Sequence, residues 1–338
     1  GTGALPNYSK SSTAPWTSSF KSIKKIVVED GITALGTWAF TNLSKATEIE
    51  VAESVKYVDA RFIGGTAITE IELPGVEVIN ENAFAAAASL TTVYLPESLK
   101  DVRGRMFYGD VTVTVKAPDE SYAEKYVELY ATKYSGHGTI SFESDGTTAA
   151  QPVLYFGAAG DNVFYAVYKI TSANYTFEIS GAGAMRKYNN YETKNEGRED
   201  MTFGPMAYIP NTDVKNVNSI KVCEGVTTIG NYVFFNCVKA TNVTLHDGIT
   251  MVGMGAFKNC SRLVTIRVPE STTLIGKSAF ENCVALRHLY IPDGVTEIVG
   301  NLLFKKITNT SAITIHTTNE YAIQTITARY PDVVIVSE

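Results

Sequence analysis

Three segments in the second half of the chain superpose without a gap: TTIGNYVFFNC (227–237), TMVGMGAFKNC (250–260) and TLIGKSAFENC (273–283). Their phenylalanines, Phe234, Phe257 and Phe280, recur every 23 residues, and a fourth copy, EIVGNLLFKK (297–306), carries Phe304 one residue late. The first half repeats the pattern with more drift, placing Phe40, Phe62, Phe84 and Phe107 at intervals of 22, 22 and 23 residues. A unit this short cannot bury its own apolar side, so copies must stack and share one continuous core. Such a period points away from two ordinary globular domains, which the length of 338 residues alone would suggest.

Strand-like pieces lie between the phenylalanine segments, among them EIEVAES (48–54), EIELPGV (70–76), TVYLPES (92–98), TIRVPES (265–271) and HLYIPDG (288–294). In EIELP the alternation sends Ile71 and Leu73 to one face and Glu70 and Glu72 to the other. Glycine or proline then turns the chain, a β-branched residue points inward again, and Ala-Phe closes the coil. The resulting unit, I-x-x-[IV]-x-[VL]-P-[ED]-[GS]-V-x-x-I-G-x-x-A-F-x-N-C-x-x-L, resembles the BspA-like leucine-rich repeat of bacterial and some protozoan surface proteins. The likeness covers about residues 20–116 and 217–316, with near-complete copies such as LIGKSAFENCVALRHLYIPDGV (274–295). It implies a repeat solenoid: a right-handed leucine-rich-repeat superhelix, β-rich, with short turns and 3-10 segments. It also implies a secreted or cell-surface binding or adhesion protein that contacts host matrix proteins or neighbouring cells.

Two arrays are expected, each with its own ends. VTVTVKAPDESYAEKYVELYATKY (111–134) and AITIHTTNEYAIQTITARY (312–330) both read as a last strand followed by a short capping helix. Tyr122, Ala123, Tyr126 and Leu129 share one face of the first helix. Such caps cover a solenoid end that would otherwise be an open sheet edge. The starts match as well: GAGAMRKY (181–188) parallels GTGALPNY (1–8). In the second array VFYAVYKI (163–170) and NYTFEIS (174–180) precede this motif as a hairpin cap. The organisation is therefore 1–143 as the first array, with a truncated N-terminal cap, 144–152 as a small polar linker, and 153–338 as the second array.

Composition removes several function classes. There are 29 basic and 35 acidic residues, and no run approaches 18 consecutive apolar positions. A net charge of −6 speaks against nucleic-acid binding, and the short apolar runs speak against membrane insertion. Residues 1–148 hold 13 basic and 19 acidic side chains and residues 149–338 hold 16 of each, so the first array carries the whole net charge.

The candidate chemistry is sparse. Cys237, Cys260 and Cys283 recur at the repeat period without a CxxC or histidine partner, so they read as buried thiols rather than metal ligands. The asparagines before them, Asn236, Asn259 and Asn282, are expected to bond turn backbone. None of the four histidines sits in a recognised catalytic setting, and no cofactor is expected. The outward face of the strand ladder is the informative surface. One array shows Lys25, Glu48, Glu70, Thr92 beside Val27, Glu50, Glu72, Tyr94; the other shows Ser219, Asn242, Thr265, His288 beside Lys221, Thr244, Arg267, Tyr290. The candidate contact residues are Glu48, Glu50, Glu70, Glu72 and Tyr94 on an acidic face, and Arg267, His288 and Tyr290 on a neutral-to-basic one. A second candidate is 185–206, with about ten more residues than the first array has at that point, loaded with Asn, Glu, Lys and Arg. The expected protein is a non-catalytic monomer, outside the cell or on its surface, whose partner is an extracellular protein. Alternatives are a glycan- or cell-wall-binding module using Tyr94 and Tyr290, an architectural spacer, and a hydrolase built across coils.

Overall fold

The computed structural model describes residues 1–8, 14–19, 21–133, 138–185, 205, 209–300 and 303–337. It divides into two compact units, Gly1–Phe156 and Gly157–Glu338, and both are solenoids of stacked, mainly parallel β-coils. In each, a coil contributes a front strand, a turn, a back strand, and a looped segment carrying the phenylalanine.

In the first unit the front strands are Lys25–Val28, Glu48–Val51, Glu70–Glu72, Thr92–Tyr94, Val111–Asp119 and Gly138–Thr148. The back strands, Gly3–Ala4, Ile32–Leu35, Tyr57–Val58, Val78–Asn80 and Asp101–Arg103, form one parallel sheet. In the second unit a hairpin of Val163–Thr171 and Asn174–Gly181 opens the front side, and Val217–Val222 and Asn242–Thr244 follow in parallel. Next come the front strands Thr265–Arg267, His288–Tyr290, Thr314–His316 and Val334–Val336. The hairpin cap and the matched starts are therefore present: Gly3 and Gly183 each donate a backbone bond of 2.8 Å, to the carbonyls of Gly31 and Gly225.

Alternation does what the sequence requires. Ile71, Val93, Ile266 and Leu289 are buried while their strand neighbours face out. The phenylalanines form a column along each core, with Phe84–Phe107 at 5.1 Å and Phe234–Phe257 at 5.2 Å between centroids. The glycine that follows Ile229, Val252 and Ile275 in successive coils has a steric cause. A Cβ on Gly253 or Gly276 would lie 2.6 or 2.4 Å from the backbone of the preceding coil. The turn asparagines adopt left-handed backbone, with φ of 66°, 66° and 60° at Asn236, Asn259 and Asn282. Their side chains bond one another rather than the turn backbone, Asn259 Nδ2 donating to Asn236 Oδ1 at 2.7 Å and Asn282 Nδ2 to Asn259 Oδ1 at 3.0 Å. The cause is stacking in register: identical amides one rung apart meet before either meets backbone.

Three expectations change in detail. Residues 144–148 are not linker but the end of strand Gly138–Thr148, which pairs in parallel with Val111–Asp119. The division between units falls at 156/157. A free edge beside Val111–Asp119 attracts the next extended segment whatever its polarity. In the first capping helix, Tyr122–Lys133, Val127 and Tyr130 join Tyr122, Ala123 and Tyr126 in burial, whereas Leu129 is only partly covered. Tyr130 reaches inward because its hydroxyl donates to the Phe107 carbonyl at 3.2 Å. Finally, the front ladder is interrupted. Lys25–Val28 and Glu48–Val51 form a separate two-stranded sheet, apart from the sheet of Glu70–Glu72 and Thr92–Tyr94. A similar break separates Asn242–Thr244 from Thr265–Arg267. In the first unit the break falls where Glu48 and Glu50 would face Glu70 and Glu72, a like-charge juxtaposition that ladder pairing disfavours.

Candidate functional site

The cysteine column lies inside the core. Cys237, Cys260 and Cys283 are fully buried. The thiols of Cys260 and Cys283 donate to the carbonyls of Phe234 (3.3 Å) and Phe257 (3.1 Å). Burial pushes all three thiols well above their usual value, Cys283 to about 12. Among the described residues no three His, Cys, Asp or Glu side chains converge as a metal set. The insertion at 185–206 lies almost wholly outside the described residues.

On the acidic face, the register places Glu48 beside Lys25 and Glu50 beside Val27, and it pairs Glu70 with Thr92 and Glu72 with Tyr94. Two of the four glutamates are engaged: Lys25 bonds Glu50 and lies 3.8 Å from Glu48. That hydrogen bond from Lys25 to Glu50, opposed by partial desolvation and reinforced by both carboxylates, holds the amine above its ordinary value. Tyr94 has Lys116 5.8 Å from its ring centroid, and Lys116 in turn pairs with Glu143 at 2.9 Å. This face is thus a solvated lattice of exposed charges.

The second unit presents a different arrangement. On three successive front strands, Arg267, Tyr290 and His316 stack. The Arg267 guanidinium lies 3.5 Å from the Tyr290 centroid, and the His316 ring lies 4.0 Å away on the next rung at 12°. Tyr290 therefore has a cation on one face and an imidazole on the other. His288 closes the group, with its Nδ1 3.1 Å from His316 Nε2. Beside the stack lies a hollow of about 430 Å³. Val268, Ile291 and Thr317, one position along each strand, form its buried floor. The turn column Asp247, Glu270 and Asp293, at the repeat period of 23, also lines it. Asp293 accepts a bond from Thr318, whereas Asp247 and Glu270 have no ion pair among the described residues. Among the described residues Arg267 has none either, so a cation and three acids line one hollow without Arg267 being neutralised.

Sequence reasoning reached Arg267, His288 and Tyr290 and missed His316 and the three acidic turn residues. His316 is 26 residues after Tyr290 because the coil between them is longer, so reading at 23 points to the wrong position. The acids do follow the period, and that regularity was the available signal.

A chain of stacked parallel coils with a phenylalanine column and paired turn asparagines is a leucine-rich-repeat protein. Residues 17–126 and 212–326 match the BspA type Leucine rich repeat region in six copies, and the chain belongs to that family. No curated protein matches it. Among solved structures it is similar to a leucine rich cell surface protein of Faecalibacterium prausnitzii A2-165, at 20% identity over 94% of this chain and 64% of that one, with a TM-score of 0.30. It is also similar to a leucine-rich repeat protein of Bacteroides ovatus ATCC 8483 (18% identity, 94% and 84% covered, TM-score 0.35) and to the pneumococcal vaccine antigen PcpA (15% identity, 100% and 79% covered, TM-score 0.31). The chain thus spans less than two thirds of the F. prausnitzii protein. No helix among the described residues is long and apolar enough to cross a membrane.

Proposed function

We propose that this chain is a non-catalytic binding module, acting outside the cell or on its surface, whose partner is an extracellular protein. The observation that carries this reading is the hollow beside Arg267, Tyr290 and His316. It is lined by side chains of opposite charge, Arg267 on one hand and Asp247, Glu270 and Asp293 on the other, drawn from several coils. An extended polypeptide segment suits it, offering carboxylates toward Arg267 and amines toward Asp247 and Glu270. Family membership supports a surface setting, and solenoids bind through such extended faces.

The glycan alternative is weaker at this place. Sugar stacking uses an open aromatic face, and both faces of Tyr290 are covered. The decisive measurement is parallel binding of the purified chain to immobilised extracellular-matrix proteins and to a glycan array. Each is repeated with Arg267→Ala and with Glu48, Glu50, Glu70 and Glu72 all changed to Lys. A protein ligand lost tenfold or more with Arg267→Ala is the expected result, since a charged contact is worth roughly 1.5–3 kcal/mol. Binding confined to glycans, or indifferent to Arg267→Ala, overturns the reading; loss only with the four-glutamate reversal moves the contact to the first unit.

A further inference from the structure

We propose that His288 and His316 form a two-imidazole site for a late first-row divalent ion such as Zn²⁺ or Ni²⁺. His288 Nδ1 and His316 Nε2 are 3.1 Å apart, on front strands adjacent in register, and the contact is exposed to solvent. Ligating imidazole nitrogens lie about 2.0–2.1 Å from such an ion. Two nitrogens 3.1 Å apart at that bond length subtend about 98° at the metal, between octahedral and tetrahedral angles. The pair is thus already spaced for chelation. The stack also fixes one ligand before the ion arrives: His316 is held against Tyr290 at 4.0 Å, and Tyr290 is held in turn by Arg267. Little side-chain freedom remains to be lost on binding.

The proton balance is closed. In the neutral pair one ring donates its N–H to the other's lone pair. When an ion enters, that proton moves to the donor ring's second nitrogen, and both facing nitrogens bind as neutral imidazole. No net proton is released. Two protein ligands leave at least two coordination positions for water or for a partner's carboxylate or imidazole, and they open beside the hollow that His316 lines. Because among the described residues no third ligand from His, Cys, Asp or Glu converges there, the ion is exchangeable rather than structural. His246 does not compete: its Nδ1 accepts from the Gly248 amide at 3.0 Å and its Nε2 contacts the Val226 carbonyl at 2.8 Å.

The test is calorimetric titration of the full chain with Zn²⁺ and with Ni²⁺ at neutral pH, beside His288→Ala and His288→Gln. His288 is exposed and its removal leaves the core untouched, which a thermal melt confirms. The expected result is one equivalent bound by the wild type and a loss of tenfold or more in affinity in both variants. Zn²⁺ should also shift the imidazole NMR signals of His288 and His316 together, and leave those of His246 in place. No binding to the wild type overturns the proposal, as does unchanged binding in the variants or a shift confined to other histidines. None of these outcomes depends on the identity of the protein partner.

Discussion

The front faces of the two units share a backbone rule and differ in how their side chains are satisfied. In the first, Lys25, Glu48, Glu50, Lys116 and Glu143 sit in water and pair by charge. In the second, Arg267, Tyr290 and His316 stack face to face with no ion pair at Arg267 among the described residues. The difference shows that one repeat period leaves outward positions free to become either a soluble lattice or a preorganised surface. Ion pairing exhausts charges on one another, whereas stacking holds a cation in place and leaves its edge available to a ligand. The cores differ too, since the second unit holds a cysteine column and no cysteine precedes residue 223.

The largest expected effect tests whether the cores are equivalent beneath these faces. Phe84 lies between Phe62 and Phe107, as Phe257 lies between Phe234 and Phe280. Phe84→Ala and Phe257→Ala should each cost about 3–5 kcal/mol in denaturant unfolding. A much smaller loss at Phe84 would show that the drifting 22-residue spacing leaves the first core loosely packed.

An intermediate effect separates the cores by chemistry. The Cys283 thiol titrates near 12 when folded and near 8.5 when unfolded. The folded state therefore keeps a proton that the unfolded chain loses, and stability falls as pH rises above about 8.5, by at most ~1.4 kcal/mol per pH unit for each such thiol. Melts between pH 8 and 9.5 should show this slope for the second unit, and Cys283→Ala should reduce it by about a third, since Cys237 and Cys260 are raised as well. In the same window iodoacetamide should label Cys223, which is only partly buried, before the other three. Equal labelling of all four thiols in the folded protein would contradict the buried column.

The smallest effect addresses the faces themselves. Arg267→Ala should cost about 0.5–2 kcal/mol with little response to salt, because its contact is with a ring. Lys25→Ala should give a minor change in melting temperature that disappears near 1 M salt, where the screening length is about 3 Å. Matching salt responses would erase the distinction between a stacked face and a solvated one.

Much of this was legible from the chain alone wherever period and alternation act together. The phenylalanine spacing specified stacked coils, the alternation in EIELP specified which residues face out, and VFYAVYKI with NYTFEIS specified the hairpin. The period failed where coil length changed. Reading at 23 cannot reach His316, and nothing in Tyr122–Lys133 announces that Tyr130 rather than Leu129 finds an acceptor on the preceding coil. The small polar stretch at 144–148 looked like a linker because composition cannot show the free strand edge beside it.

The sequence by itself therefore determined the solenoid, its repeat and the inward and outward faces of strands such as Glu70–Glu72 and Thr265–Arg267. These follow from local sterics and hydrophobic periodicity, which each coil carries within its own residues. Only the tertiary structure decided which outward residues meet. The stack of Arg267, Tyr290 and His316, the amide column of Asn236, Asn259 and Asn282, and the break between Val51 and Glu70 all depend on register between coils. That register is set by the packing of neighbouring coils, which no single repeat encodes.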